Sequence, residues 1–308
     1  MPSDNSAAQT DFIKQQLRPR LARALLRLFS WMPLPLNHLT GELLGRLANL
    51  LPNDVRHVAR INIRLCLPLL SPGEQKTLLR RYMIETGKTM TETAIMWLWP
   101  EQKILDKITG VTGEEHLRAG IERGKGVIIA APHMGSWEII GHYCSYHHPM
   151  TCMYRPPEIQ ALDQVIRNGR TRFGMQLAPT DTSGVKILIN ALRRGELVGI
   201  LPDQVPQQGQ GVYAPFFGHQ AYSMTLLSKL AQKTGATVLY GFAERLPGGR
   251  GYHLHFQPGT DEILAEQLEL SVAAMNRGIE RLILTCPEQY QWGYRRYKQR
   301  PGDEAEFY

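Results

Sequence analysis

Val127-Ile128-Ile129-Ala130-Ala131-Pro132-His133-Met134-Gly135-Ser136-Trp137-Glu138 reads as a strand handing over to a helix. The apolar run, rich in Val and Ile, predicts a buried strand. Pro132 and Gly135 stop it. Ser136 caps a helix that continues through Trp137 to Tyr143. In open α/β sheets ligands gather at the carboxyl ends of the strands, where His133 stands. Glu138 follows in the first helical turn, and the spacing predicts that its carboxylate folds back onto the imidazole. A carboxylate fixes a histidine's tautomer and steadies the imidazolium. That pair is what a general base needs to deprotonate an alcohol near neutral pH. A histidine at a strand end serves as readily as a hydrogen-bonded structural residue, so the rest of the chain must decide.

Downstream the same alternation continues. Helices are expected over 114–123, 159–173, 184–194, 223–234 and 268–284. Strands are expected over 127–131, 151–154, 197–201, 237–242 and 252–256, the last two joined by the turn Leu246-Pro247-Gly248-Gly249-Arg250. This predicts an α/β fold with a mixed, mostly parallel central sheet flanked by helices.

Upstream the pattern is helical. Leu17, Leu21, Leu25 and Leu28 share one face of a helix over 12–29, and Arg20, Arg23 and Arg27 the other. Two readings stand: an interfacial membrane anchor ending at Trp31, each Arg contributing about 1 kcal/mol at an anionic leaflet, or a bundle helix with a solvated basic face. Pro33 and Pro35 end it. A leucine stripe (Leu43, Leu44, Leu47, Leu50) marks a helix over 39–51, and Asn53 or Asp54 caps another to about Cys66. Ser71-Pro72-Gly73-Glu74 is a capping box that starts a helix to about Trp99, with Leu78, Leu79, Tyr82, Met83 and Met90 inward. Residues 1–108 thus form an N-terminal helical, membrane-associating layer on an α/β region over 109–308, the two making one integrated domain.

Composition narrows the partners. The chain of 308 residues is 43% hydrophobic, which fits a packed fold, and carries a net charge of +7. That balance favours an anionic partner: nucleic acid, an acidic membrane surface or an acidic carrier protein. Cys66, Cys144, Cys152 and Cys286 have no metal-binding spacing and read as reduced thiols. The first residues lack the order of a secretory signal, and no apolar run is long enough to predict a membrane-spanning helix.

Other pieces gather around His133. Arg155, in Tyr154-Arg155-Pro156-Pro157, and Asp203, in Leu201-Pro202-Asp203-Gln204, both follow strands. Arg155 suits a substrate phosphate or carboxylate, or holds Asp203. Asp203 orients Arg155 or a loop, or merely forms a turn. Arg167, Arg170 and Arg172 extend a basic rim or are simply solvated. The Gly-rich stretch 207–218 reads as a mobile loop ending in a flat apolar patch. Several alternatives fail. Gly135-Ser136 is no nucleophile elbow, Gly124-Lys125 no P-loop, and His142, His147 and His148 lack zinc-protease spacing and read as helix-end histidines. The basic tail Arg295–Arg300 is too short to argue for nucleic acid.

His133-x-x-x-x-Glu138 resembles the motif of glycerolipid acyltransferases. The wider set resembles one branch of the lysophospholipid acyltransferase superfamily, the late (secondary) acyltransferases of lipid A biosynthesis. The matching blocks are His133-Met-Gly-Ser-Trp-Glu138, Tyr154-Arg155-Pro156, Gly169-Arg170-x-Arg172, Leu201-Pro202-Asp203-Gln204, Ala214-Pro215-Phe216-Phe217-Gly218 and Pro287-Glu288-Gln289-Tyr290-x-Trp292-x-x-Arg295-Arg296. Ser136 departs from the Asn of many members and leaves the acid–base pair intact. The resemblance implies transfer of a fatty acyl chain from acyl carrier protein to the hydroxyl of a 3-hydroxyacyl chain on a lipid A precursor, at the cytoplasmic face of the inner membrane. It implies His133 and Glu138 as the catalytic pair, and Arg155, Asp203, Arg170 and Arg172 around the substrate. No metal, other cofactor or nucleic acid is implied. The rival readings are a lysophospholipid or other glycolipid acyltransferase, and a non-catalytic basic protein that binds membrane or nucleic acid.

Overall fold

The computed structural model of the chain describes residues 19–302 and 305–308. Seven strands form the central sheet: β1 (Ile108–Thr112), β2 (Val127–Ala130), β3 (Met150–Tyr154), β4 (Gln176–Pro179), β5 (Leu197–Ile200), β8 (Thr237–Arg245) and β9 (Tyr252–Pro258). Their spatial order is β1-β9-β8-β2-β5-β3-β4. Only β8 and β9 pair antiparallel; the other neighbours run parallel. The mixed, mostly parallel sheet expected from the sequence is therefore what forms. Successive residues of β2 point to opposite faces, as a strand requires. Ile128 and Ala130 enter one core with Val198, Ile200 and Leu188, while Val127 and Ile129 enter the other with Ile139, Ile140 and Leu239. Burial on both faces is why β2 is an unbroken apolar run.

Helices α6 (Glu114–Glu122), α7 (Trp137–His147), α8 (Asp163–Thr171), α9 (Thr182–Arg193), α10 (Leu226–Thr234) and α11 (Leu268–Thr285) alternate with the strands. Strands β1 and β4 escape the sequence reading because they are short and lie at the sheet's two edges, where no apolar run is needed. The stretch read as a mobile Gly-rich loop is instead mostly a hairpin, β6 (Gly211–Phe216) with β7 (His219–Met224). Its two-residue turn, Phe217-Gly218, has φ of 48° and 77°. Positive φ at both turn positions matches the twist of a tight hairpin. Glu280 of α11 accepts the Phe217 N–H at 2.7 Å and holds the turn.

The N-terminal layer comprises α1 (19–31), α2 (Leu34–Leu50), α3 (Asp54–Cys66), α4 (Pro72–Leu98) and α5 (Glu101–Leu105). The first helix extends the one expected over 12–29, whose residues 12–18, Leu17 included, lie outside the described residues. Asn53 caps α3, and Ser71 and Glu74 form the expected capping box of α4. Pro33 and Pro35 do not merely end α1; they open α2 earlier than expected, where proline is tolerated.

The leucine stripe of α2 is inverted. Asn37, His38, Gly41 and Gly45 are its buried residues besides Leu34. Leu36, Leu39, Leu43, Leu44, Leu47 and Leu50 are exposed, Leu50 at 78%. Glycines explain the inside. A Cβ on Gly87 of α4 would collide with the Gly41 carbonyl oxygen, and one on Gly45 with that of Met83. The two helices touch backbone to backbone, with Asn37 Nδ2 donating to Thr91 O at 3.1 Å. Leu21, Leu25, Leu28 and Trp31 of α1 add to the exposed apolar surface. On α4, Leu78, Leu79, Tyr82 and Met83 are buried as expected, but Met90 is 69% exposed. Among the described residues no helix is long and apolar enough to cross a membrane.

Candidate active site

Register brings the site together. Strands β2 and β5 are neighbours, with Ala130 opposite Ile200. Their parallel course sends both chains out of the same edge of the sheet. His133 lies three residues past Ala130 and Asp203 three past Ile200, so the two side chains meet although 70 residues separate them.

The imidazole is held by Asp203. Nδ1 of His133 lies 2.9 Å from Asp203 Oδ1, and the His133 backbone N–H donates to Oδ2, also at 2.9 Å. An ionised carboxylate only accepts, so Nδ1 carries a proton, and in the neutral ring the lone pair is on Nε2. Asp203 is 2% exposed. Burial pushes its pKa up, but the attraction of His133 and the two hydrogen bonds outweigh burial and hold the carboxyl below its usual value. Nε2 faces Gln204, whose Nε2 is 3.3 Å away. Trp137 leans on the ring with centroids 5.3 Å apart.

This corrects the expected partner. Glu138 does not fold back onto His133 but turns to Arg170 of α8. Arg170 Nε donates to Glu138 Oε2 at 3.0 Å and Nη2 to Oε1 at 2.5 Å, and Trp97 Nε1 donates to Oε1 at 3.4 Å. Burial raises the Glu138 pKa, and the Arg170 charge and hydrogen bonds more than reverse it, so the carboxyl sits below its ordinary range. The physical reason is helical direction. Glu138 lies in the first turn of α7 on the side that packs toward α8 and the end of α4, where an arginine supplies a two-point match that an imidazole lacks.

The other arginines also find protein partners or none. Arg172 donates to the carbonyls of Met96 and Trp97 at 2.8 and 3.0 Å and so closes the end of α4 instead of rimming the site. Arg167 pairs with Asp163 one turn away and lies over Tyr154. Arg155 is exposed and does not engage Asp203, whose oxygens both serve His133. His142 is no helix-end histidine: it is fully buried in α7 and stacks on Phe173 at 4.1 Å, and burial lowers its pKa to about 4.

The loop that carries His133 is clamped. Gly135 has φ of 57°, and a Cβ there would strike the Ala243 carbonyl oxygen. Its N–H donates to Gln289 O, the Ser136 N–H to Ala243 O, and the Gln291 N–H to His133 O, at 2.9–3.0 Å. Arg245, at the end of β8, reaches the Gly135 carbonyl at 3.3 Å. That guanidinium is 3% exposed and lies among Glu85, Thr89 and Glu92 of α4. Glu92 also meets His38 Nε2 at 3.1 Å and Tyr252 Oη at 3.0 Å. Burial alone would raise the Glu92 pKa, but Arg245 and then His38 bring it down to about 2. The sequence reading missed this cluster. Its signal was present: Glu85 and Glu92, one heptad apart, are acids on the face of α4 that also carries Leu78, Tyr82 and Met96.

A cleft of about 220 Å³ opens between α4 and the segment 288–294, lined by His133, Trp137, Val55, Tyr82, Thr86 and Tyr290. His133 therefore lines a partly apolar cleft that borders the helical layer.

A family model described as bacterial lipid A biosynthesis acyltransferase matches residues 13–299 of the chain. The lipid A biosynthesis lauroyltransferase of Escherichia coli K12 is 29% identical over 91% of this chain and 91% of its own. The lipid A biosynthesis palmitoleoyltransferase of the same organism is 29% identical over 97% and 99%. Its lipid A biosynthesis myristoyltransferase is 26% identical over 86% and 82%.

Proposed function

This chain belongs to the bacterial lipid A biosynthesis acyltransferase family, and from that premise we propose that it transfers a fatty acyl chain from acyl carrier protein to the hydroxyl of a 3-hydroxyacyl chain on a lipid A precursor. The observation that carries the reading is the His133 ring, fixed through Nδ1 by Asp203 and lining the cleft.

A secondary alcohol holds its proton far above neutral pH, so attack needs a base placed at the reacting oxygen. His133 Nε2 takes that proton as the oxygen bonds to the thioester carbon. Asp203 stabilises the imidazolium that results. The tetrahedral intermediate then collapses: the carbon–sulfur bond breaks, the carbonyl re-forms, and the leaving thiolate takes the proton from His133. The products are an ester on the precursor and a free thiol on the carrier. The partly buried Glu138–Arg170 pair positions the first turn of α7, and with it Trp137 beside the ring.

The exposed apolar face of α1 and α2, with Arg20, Arg23 and Arg27 beside it, fits seating on the anionic cytoplasmic leaflet of the inner membrane, where the acceptor lipid resides. A patch of this kind on a helical layer beside the cleft gives a lipid substrate a path that avoids water. Arg155, exposed at the same edge of the sheet, is free to meet a phosphate of the acceptor or the carrier's prosthetic arm.

The test is acyl transfer by the purified protein from lauroyl-, myristoyl- and palmitoleoyl-acyl carrier protein to a lipid A precursor, read by mass spectrometry. A product heavier by one acyl chain, with its ester on a 3-hydroxyacyl chain, is the expected result. An unchanged precursor with every donor would refute the proposal.

A further inference from the structure

Gln204 directly follows Asp203 at the end of β5. While Asp203 holds one nitrogen of the imidazole, Gln204 Nε2 lies 3.3 Å from the other and donates to Gln291 Oε1 at 3.1 Å. Both neighbours fix the amide's orientation. In the neutral ring Nε2 holds a lone pair, because Nδ1 carries the proton, and Gln291 presents an oxygen. Turning the amide over would set its oxygen against two acceptors. Gln291 is itself anchored, since its backbone N–H donates to His133 O at 3.0 Å, and it lines the cleft.

An acceptor hydroxyl that reaches Nε2 must take the amide's place there. A displaced amide can keep its second N–H on Gln291, which is anchored to the His133 carbonyl. One N–H is then unpartnered beside the reacting atoms. Resting on the acyl-transfer reading above, we infer that Gln204 is a further catalytic residue: it covers the base nitrogen in the empty site and donates to the thioester oxyanion during transfer. As the hydroxyl oxygen bonds to the carbonyl carbon, its proton moves to Nε2 and the carbonyl electron pair moves onto oxygen. The protonated Nε2 is now a donor and no longer accepts from the amide, whereas the new oxyanion does. Collapse returns the pair to the carbonyl, expels the thiolate and sends the proton from Nε2 to sulfur. The amide N–H then has the lone pair of Nε2 to return to.

The experiment is steady-state transfer by the full chain carrying Gln204→Met or Gln204→Glu, with whichever of the lauroyl, myristoyl and palmitoleoyl carrier thioesters gives the highest wild-type rate. Loss of one oxyanion donor lowers kcat about 10²–10³-fold and leaves KM little changed. In Gln204→Glu a carboxylate beside Nε2 favours the imidazolium, so the limb of the pH–rate profile that reports the free base moves to higher pH. A merely structural role would lower Tm and leave kcat of the folded variants near the wild-type value. Gln204→Met protein with kcat within about threefold of wild type overturns the inference. Should that variant not fold, a plateau kcat within about threefold of wild type in Gln204→Glu overturns it instead. Wild-type protein inactive with every donor would defeat the acyl-transfer reading first, before any variant is compared.

Discussion

His133 and Asp203 are joined twice: ring Nδ1 to Oδ1 and backbone N–H to Oδ2, both at 2.9 Å. One carboxylate thus sets both the tautomer of the base and the course of the loop that carries it. Because both are tied to the register of β2 on β5, the geometry is built into the sheet and does not wait for substrate.

Asp203→Asn should separate these two jobs. Asparagine still accepts the backbone N–H through its amide oxygen but no longer stabilises an imidazolium. The expected outcome is a fall in kcat of about 10³–10⁴-fold, as when a triad loses its acid, with little change in Tm. Stopped-flow or radiolabelled transfer assays read the first and thermal unfolding the second. Activity close to wild type would mean that another group orients the ring.

Glu138 should behave differently. Its partner is Arg170, and the pair is partly buried. Removing one member leaves the other charge largely shielded from water and unpaired, at about 1–3 kcal/mol, so Glu138→Gln and Arg170→Met should each unfold more easily. The double variant Glu138→Leu with Arg170→Met should recover much of that stability. A double-mutant cycle in urea measures the coupling. Additive losses, with no recovery, would show that the pair does not act as a unit.

How much of this was legible beforehand follows from where each contact comes from. Local pattern revealed β2, His133 and the turn into α7, because burial on both faces writes an unbroken apolar run. It also placed Asp203 and Arg155 at strand ends. It did not reveal which carboxylate meets the imidazole. Glu138 is near in sequence and Asp203 is near in space, and only the strand order β8-β2-β5 decides between them. The leucines of α2 misled in a similar way: periodicity shows that a helix has two faces, not which face is inward. The glycines Gly41, Gly45 and Gly87 settle that, since only they let the two backbones touch. Arg170 and Arg172 read as basic rim because an arginine's partner is invisible until α8 is docked against α4 and α7.

Stability should fall in acid through two successive windows. His142 has a folded pKa of about 4 against an ordinary 6.5, because burial disfavours its charged form. Glu92 has one of about 2 against 4.5. In both cases the unfolded chain binds its proton at higher pH than the folded one, so the contribution is complete above the ordinary value and drains away as pH falls toward the folded value. Urea unfolding at a series of pH values should show one slope from pH 6.5 to 4 that His142→Phe reduces, and another from 4.5 to 2, shared with Asp203 and Glu138, that Glu92→Gln reduces. Slopes unchanged in the variants would assign the acid sensitivity elsewhere.

The exposed leucines should govern attachment to lipid. Replacing Leu43, Leu47 and Leu50 with Gln removes apolar area that no part of the described protein covers. Transfer of such side chains from water is worth about 1.5–3 kcal/mol each when complete, so even partial insertion predicts at least a roughly tenfold weaker partition into anionic vesicles. Arg20, Arg23 and Arg27 changed together to Glu should weaken it further and blunt its response to salt, at about 1 kcal/mol per charge. Co-sedimentation reads both. Unchanged partition in the leucine variant would move the attachment surface elsewhere.

The most direct measurement is single-turnover transfer by purified His133→Ala protein, with near-ultraviolet dichroism to verify the fold. If Nε2 takes the acceptor's proton, the rate of the chemical step drops about 10²–10⁴-fold while donor and acceptor still bind. A folded His133→Ala protein that transfers within about threefold of the wild-type rate would show that the proton leaves by another route.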